Sequence, residues 1–240
     1  YDKLPHMLIA GGTGGGKTYF ILTIIEALLR TNAKLYVLDP KNADLADLSA
    51  VMPEVYYRKE EITDCIDHFY DGMMERSEAM KLMDNYKTGE NYAYLGLPPH
   101  FLIFDEYVAF MEMLTTKENA LVLNKLKQIV MLGRQAGYFL ILACQRPDAK
   151  YLGDGIRDQF NFRVALGRMS ELGYSMMFGE VDKDFFLKQI KGRGYVDTGT
   201  SVISEFYTPL VPKGHDFLRE IGRLMQNRQD GQAACEAKAA

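Results

Sequence analysis

Residues 11–18, Gly11-Gly12-Thr13-Gly14-Gly15-Gly16-Lys17-Thr18, constrain this chain more than any other stretch. They satisfy G-x-x-x-x-G-K-[ST], a loop that joins a strand to a helix and wraps a polyphosphate. Both flanks fit that context. Met7-Leu8-Ile9-Ala10 is a short apolar run, as a buried strand is. From Tyr19 to Arg30 the apolar residues at 21, 24, 25, 28 and 29 keep a helical period. Glycines let successive backbone N–H groups turn inward, at a helix N-terminus whose dipole also favours anions. Lys17 is then expected to reach the β- and γ-phosphates of a nucleoside triphosphate, with the Thr18 hydroxyl on Mg²⁺.

A second element complements the loop. Phe101-Leu102-Ile103-Phe104 is an apolar strand that ends in two carboxylates, Asp105 and Glu106. Mg²⁺ keeps most of its waters and takes few protein carboxylates, which suits Asp105 as the single acidic group beside it. Glu106 is placed to orient or deprotonate an attacking water. Four apolar residues and an acidic pair say little alone. Behind a phosphate loop they indicate hydrolysis and favour work-performing ATPases over kinases.

The remaining chain supplies the frame. Lys34 to Asp39 reads as a strand closed by Pro40, which leaves Asp39 and Lys41 at the sheet edge where ligands of open α/β sheets gather. Either they stand behind the nucleotide, or they form an ordinary turn with a solvated lysine. Glu61 to Met83 has the spacing of a long amphipathic helix, whose methionines serve a buried face or a pliable partner surface. Lys87 to His100, with Gly89, Gly96 and Pro98-Pro99, reads as a loop, its tyrosines at 86, 92 and 94 packing it down or touching a substrate. Asn119 to Leu132 reads as a helix ended by Gly133, Tyr138 to Ala143 as a fully buried strand, and Phe160 to Leu166 as a fifth strand. Gln145 stands at the tip of the strand that should lie beside the phosphate-loop strand, where it either senses the γ-phosphate or the lytic water or is an ordinary solvated amide. Lys188 to Gly194 is a basic turn before short strands at Tyr195–Val196 and Glu205–Val211. The order β-loop-α-β-α-β-α-β-α-β predicts an α/β fold of RecA-like P-loop type, a mostly parallel sheet covered by helices on both faces. Residues 1–213 form that motor domain in this reading. Residues 214–240 form a short helix and a disordered, Gln/Ala-rich tail.

Bulk properties set outer bounds. A 240-residue chain suits one large α/β domain, and 48% hydrophobic content is ample for its core. No run of 18 uncharged apolar residues suggests a membrane span, and no signal-peptide pattern opens the chain. Cys65, Cys144 and Cys235 are too scattered for a disulfide framework or a zinc site, which fits a reducing, intracellular compartment. Histidines 6, 68, 100 and 215 share no ligand spacing. The net charge of −4 argues mildly against a nucleic-acid partner for a monomer, without excluding a local basic strip. The start only a few residues before the phosphate loop suggests a fragment of a longer protein.

Several motifs in order then resemble the motor domain of the FtsK/SpoIIIE family of DNA translocases, from about Met7 to Val211. They are Leu8–Thr18 (LIAGGTGGGKT), Leu38-Asp39-Pro40-Lys41, Met74-Glu75-Arg76, Ile103–Met111 (IFDEYVAFM) and Gly133–Pro147 (GRQAGYFLILACQRP). The resemblance implies a homo-oligomeric ring, a hexamer, that pumps duplex DNA through its pore at the expense of ATP. It implies Lys17 and Thr18 as nucleotide and Mg²⁺ ligands and Asp105 and Glu106 as the Mg²⁺ and catalytic-water pair. It makes Gln145 the γ-phosphate sensor and Arg134 an arginine finger that enters the neighbouring subunit's site.

There are departures from the family pattern. Cys144 replaces a threonine, and Ala165 to Glu171 lacks the usual S-S-K, which puts a trans lysine there in doubt and leaves Arg168 as the substitute. Nothing after Val211 could encode the winged helix that reads DNA in chromosome-segregation motors. Such shortened members resemble the coupling-protein ATPases of Gram-positive conjugative transposons and plasmids. That implies work at the cytoplasmic face of the cell membrane, through an anchor in the full-length protein, with a relaxase or channel components as partners. Lys188, Lys191 and Arg193 on a pore-facing turn are candidates to grip DNA phosphates. The rival readings are a protein-secretion motor of FtsK type, a chromosome-partitioning translocase, and a regulatory module that does not hydrolyse.

Overall fold

The computed structural model describes residues 3–147, 150, 156–185, 190–200 and 202–239, with side chains as far as Gly231. Among these residues, eight strands form one sheet in the order β3-β2-β4-β5-β1-β6-β7-β8. In chain order these are β1 (Met7–Gly11), β2 (Lys34–Leu38), β3 (Val55–Tyr56), β4 (His100–Phe104), β5 (Tyr138–Cys144), β6 (Phe162–Leu166), β7 (Arg193–Asp197) and β8 (Ser204–Tyr207). The six strands from β3 to β6 pair in parallel, and β7 and β8 add an antiparallel edge. Among the described residues, six α-helices complete the fold: α1 (Lys17–Leu29), α2 (Lys59–Lys81), α3 (Tyr107–Met113), α4 (Thr116–Ala136), α5 (Glu171–Phe178) and α6 (Phe217–Ala239). The expected helix-covered, mostly parallel sheet is thus the observed one.

Two apolar layers hold it. Side chains alternate across a strand, so Leu8 and Ala10, Leu102 and Phe104, and Leu140 and Leu142 pack on one face with α2, α3, α4 and α5. Ile9, Phe101, Ile103, Phe139 and Ile141 face the other way, onto α1 and α6. A strand buried on both faces reads as a continuous apolar run rather than an alternating one. This is why β1, β4 and β5 were so plain in the sequence. The methionines of α2 go to the core, with Met73 and Met80 buried. Tyr92 packs its loop down, edge-on to Phe139 at 5.7 Å between ring centres, whereas Tyr86 and Tyr94 stay exposed.

Several boundaries differ from expectation, each for a local reason. α4 starts at Thr116 because Thr115 and Glu118 form a capping box. It runs past Gly133 to Ala136. Gly133 is there for close packing, since a Cβ would sit 2.1 Å from the Tyr138 carbonyl oxygen. β8 stops at Tyr207, before Pro209, which has no N–H for a ladder. Instead of a short helical stretch, α6 continues through Ala239. Arg228 anchors it by donating to the carbonyls of Leu29 at 2.9 Å, Ala33 at 2.8 Å, Leu28 at 3.3 Å and Thr31. Leu28 and Leu29 lie in the last turn of α1, where a helix has acceptors to spare, and Thr31 and Ala33 lie in the turn that follows it. Among the described residues no helix is long and apolar enough to cross a membrane.

The sheet also buries a titratable group. His6, just before β1, is 1% exposed, and its Nδ1 accepts the Leu140 N–H at 3.1 Å, which requires a neutral ring. Burial lowers its pKa to about 4, against a smaller opposing effect of a backbone hydrogen bond at Val130. Because the folded pKa lies below the unfolded one, the contribution is complete above about pH 6.5 and lost as pH falls towards 4. The loss should approach about 3 kcal/mol. Urea unfolding of wild type and His6→Asn across pH 7 to 4 should show the asparagine variant losing less stability, since its amide accepts the same N–H without titrating. Parallel pH curves for the two proteins would overturn this account.

Candidate nucleotide site

β1 ends at Gly11 between β5 and β6, with Ala10 opposite Cys144 and Gly11 opposite Leu166. The loop turns back on itself through Gly15 N–H, which donates to the Gly12 carbonyl at 3.0 Å. Gly16 has φ +96°, and a Cβ there would lie 3.0 Å from the Gly192 nitrogen, so only glycine fits. No side chain caps α1, and no acidic residue occupies its first turn. Its leading N–H groups therefore point into the loop as an anion cradle.

Three charged groups converge beneath the cradle. Lys17 Nζ lies 2.6 Å from Asp105 Oδ1 and is also paired with Glu106 Oε1, and all three residues are less than a tenth exposed. Lys41 closes the group from the far side, its Nζ 3.2 Å from Glu106 Oε2. Two ammonium groups thus balance two carboxylates. Burial opposes the Lys17 charge, but the two carboxylates outweigh it and hold its pKa above the ordinary value. Burial raises the Asp105 pKa, with Lys17 pulling it part of the way back. Glu106 has φ 49°, a left-handed conformation uncommon outside glycine, and starts α3. Such a conformation costs of order 1–3 kcal/mol and tends to persist where function needs it. Here it turns the Glu106 carboxylate back towards Lys17 while the Glu106 N–H donates to Asp105 Oδ1 at 2.9 Å.

The cleft above this cluster measures about 420 Å³, and Thr13, Lys17, Thr18, Asp105, Glu106 and Gln145 line it. Gln145 is exposed at the end of β5, the strand between β1 and β4. Asp39 and Lys41, left open by the sequence, now separate. Asp39 is committed to its own loop, accepting the N–H groups of Lys41 at 3.2 Å, Ala43 at 2.9 Å and Ala46 at 3.1 Å. Lys41 belongs to the charge cluster. Cys144 is fully buried beside the site, and burial pushes its thiol pKa up to about 12, which makes it an inert packing group.

Arg134 is not at this cleft. It is exposed on the last turn of α4, before β5 begins, whereas the cleft lies past the end of β5. Seven strand residues separate the two, about 20 Å at the usual rise. Its support is rigid: Tyr92 N–H donates to the Gln135 carbonyl at 3.0 Å and His100 N–H to the Gly137 carbonyl at 2.7 Å. Arg76 Nη1 reaches the Ala136 carbonyl at 3.3 Å. Arg168 is exposed just after β6. The basic turn is described only in part. Lys188 lies outside the described residues. Lys191 lines the nucleotide cleft, its Nζ 4.4 Å from the centre of the Tyr19 ring. Arg193 is paired with Glu205 at 2.7 Å and lies over Tyr207.

Comparison with known proteins places this geometry. The family model for the central domain of helicase HerA (DUF87) matches residues 2–136. The Bacillus subtilis (strain 168) FtsK domain-containing protein YdcQ is 60% identical over 99% of this chain, which spans 50% of that protein. The DNA translocase FtsK of Campylobacter jejuni (strain 81-176) is 27% identical over 91% of the chain, which spans 24% of that protein. Among solved structures, the pCW3 conjugation coupling protein TcpA, a monomer with ATPγS, superposes with TM-score 0.77 at 20% identity, over 93% of this chain and 65% of that one. The cytoplasmic domain of the type VII secretion ATPase EccC from Thermomonospora curvata gives TM-score 0.70 at 22% identity, over 92% of this chain and 28% of that one. At these identities the structural likenesses speak for the fold. Sequence, family model and site agree: the chain belongs to the HerA/FtsK family of P-loop ATPases.

Proposed function

We propose that this domain hydrolyses ATP to drive DNA through a homo-oligomeric ring, as the motor of a conjugative or other mobile element. The observation that carries the chemistry is the convergence of Lys17, Asp105 and Glu106 under the glycine cradle, with Gln145 beside them. The residues suit ATP with Mg²⁺. No cluster of three or more His, Cys, Asp or Glu able to hold a metal occurs among the described residues. Asp105 and Thr18 would hold the ion, a hard oxygen pair with a single carboxylate that suits Mg²⁺. Bound there, the ion offsets phosphate charge. Lys17 leaves the carboxylates to hold the β- and γ-phosphates. Glu106, released from Lys17 and steadied by Lys41, orients the attacking water and takes its proton. Gln145 contacts the γ-phosphate. Arg134, too far from its own cleft, serves the neighbouring subunit's site and makes hydrolysis depend on assembly.

DNA as the cargo is supported by the resemblance to FtsK translocases and by the coupling protein among the structural likenesses. The whole protein, about twice this length if it is organised like YdcQ, would then supply a membrane anchor and contacts to a relaxase or channel. A second reading has a specific support: the ESX secretion protein EccC of T. curvata is 28% identical over 86% of the chain. Steady-state ATPase measured with and without linear duplex DNA, across a protein concentration series, separates them. A DNA motor should be stimulated, with a rate per subunit that rises steeply with concentration. A rate that rises with concentration but ignores DNA at low salt would overturn the DNA reading in favour of protein cargo.

A further inference from the structure

Of the sequence motifs, Met74-Glu75-Arg76 has no part in the nucleotide cleft. Its arginine lies near the end of α2, where three segments of the chain meet. Arg76 Nη1 donates to the Pro98 carbonyl at 2.8 Å and to the Ala136 carbonyl at 3.3 Å. Nη2 lies 2.7 Å from His100 Nε2. A guanidinium only donates, so Nε2 accepts and the imidazole is neutral. Burial, and after it the Arg76 charge, keeps it so by lowering the His100 pKa to about 3. The guanidinium also lies over the Tyr138 ring, 4.9 Å from its centre. These partners carry no charge, and burial opposes the arginine's own. Its hold is therefore one of geometry: a planar fork aimed at several fixed acceptors, which a single ammonium cannot match.

We propose that Arg76 is a positioning residue for hydrolysis: it fixes the end of α4 from which Arg134 is offered to the neighbouring subunit. The proposal rests on the reading of Arg134 as a finger in trans and deepens it. Ala136, which accepts the bond from Arg76, lies two residues beyond Arg134 in the last turn of α4. The last carbonyls of a helix lack intrahelical donors, so a donor from outside can set where that turn sits. The other two anchors refer the turn to the sheet, since Pro98 leads into β4 and His100 begins it. β4 ends at Phe104, next to Asp105 and Glu106. The base of the finger and the subunit's own carboxylates are thereby referred to one strand. Close packing leaves the fork little slack. Gly72, one turn before Arg76 on the same face of α2, would with a Cβ come 3.1 Å from Tyr138 Oη. Gly133, next to Arg134, would come 2.1 Å from the Tyr138 carbonyl oxygen. α2, the end of α4 and the start of β5 are thus pressed together around the guanidinium.

Arg76→Gln and Arg76→Lys, assembled as the wild type is, test this. Both should bind ATP as the wild type does and hydrolyse it roughly 10- to 100-fold more slowly, the range that a misplacement of about 1 Å produces. Lysine keeps the charge but not the fork, so Arg76→Lys should not restore the rate. Mixing experiments supply a readout that a merely structural role would not move. Either Arg76 variant has a complete cleft and a misplaced finger. Lys17→Ala subunits, with a disabled cleft and an intact finger, should therefore raise its activity. Arg134→Ala subunits should not, because neither protein then presents a finger in place. Rescue by neither, in mixtures that assemble normally, would mean that Arg76 acts on its own subunit's cleft and would overturn the proposal. Rescue by both would overturn it too, as would wild-type turnover in both variants. Failure of Arg76→Lys to fold would make Arg76 a residue of stability alone, with the same consequence. Arg134→Ala mixed with Lys17→Ala tests the reading beneath: no activity there, in a mixture that assembles, sinks the finger itself rather than the part of Arg76 in placing it.

Discussion

Glu106→Gln is expected to keep ATP bound and to lower its turnover by at least about 100-fold, the lower range for removal of a general base. The amide preserves size and one acceptor, so the left-handed turn at the start of α3 and the hydrogen bond to Asp105 should survive. What it removes is a charge with two present partners, Lys17 and Lys41. ATP affinity should therefore hold or rise, because Lys17 must leave this carboxylate to reach phosphate, and the variant lowers the cost of that exchange. The kcat and the ATP dissociation constant, measured on one preparation, separate the two effects. Unchanged turnover would exclude Glu106 as the base, and turnover no faster than background in both proteins would restore the reading of a regulatory module that binds without hydrolysing. A fall in affinity matching the fall in rate would make Glu106 a ligand of the nucleotide rather than of water.

That prediction draws on residues the sequence displayed openly, and on one it did not. The phosphate loop, the carboxylate pair and Gln145 were legible because each follows a strand buried on both faces, and a parallel sheet brings its strand ends to one edge. Lys41 was visible only as a charged residue at that edge. Its pairing with Glu106, 65 positions away in the chain, depends on β2 lying next to β4, which local pattern does not encode. The setting of the basic turn was hidden for the same reason. Positive charge on a glycine-flanked turn suggested a surface for DNA, and the pattern did not show that Gly194 packs so close to β6 that a Cβ would sit 1.9 Å from the Ala165 carbonyl oxygen. Gly192 N–H, bonded to the Gly15 carbonyl at 2.9 Å, ties the turn to the phosphate loop and sets Lys191 beside the nucleotide cleft. α5 was missed because Gly173 interrupts its pattern, although Ser170 caps it by accepting the Gly173 N–H at 3.1 Å. The start of α4 was misplaced although its capping box, Thr115 to Glu118, was plain in the residues.

Arg134→Ala should abolish ATP hydrolysis by a route that Glu106→Gln does not share. Within one subunit the arginine and the cleft occupy opposite ends of β5, so a catalytic role requires a neighbour that offers its finger to this chain's phosphates. A guanidinium supplied in trans is worth roughly 10³ or more in rate, because it meets charge that develops only in the transition state. ATP binding to the isolated variant should consequently match the wild type. Fold should be untouched as well: the side chain is exposed, and the hydrogen bonds that brace this helix end involve the backbone of Gln135, Ala136 and Gly137 rather than the arginine. The decisive measurement mixes two inactive proteins. Arg134→Ala retains a complete cleft, and Lys17→Ala retains a complete finger. Where a Lys17→Ala subunit presents Arg134 to an Arg134→Ala subunit's cleft, every part of the site is present, and activity should return in the mixture with a maximum near equal proportions. Mixtures that stay inactive while assembling normally would show that Arg134 acts within its own subunit or only in structure, and would remove the ring from the hydrolytic mechanism. Return of activity would place catalysis at the junction between subunits, where hydrolysis in one can be felt by the next.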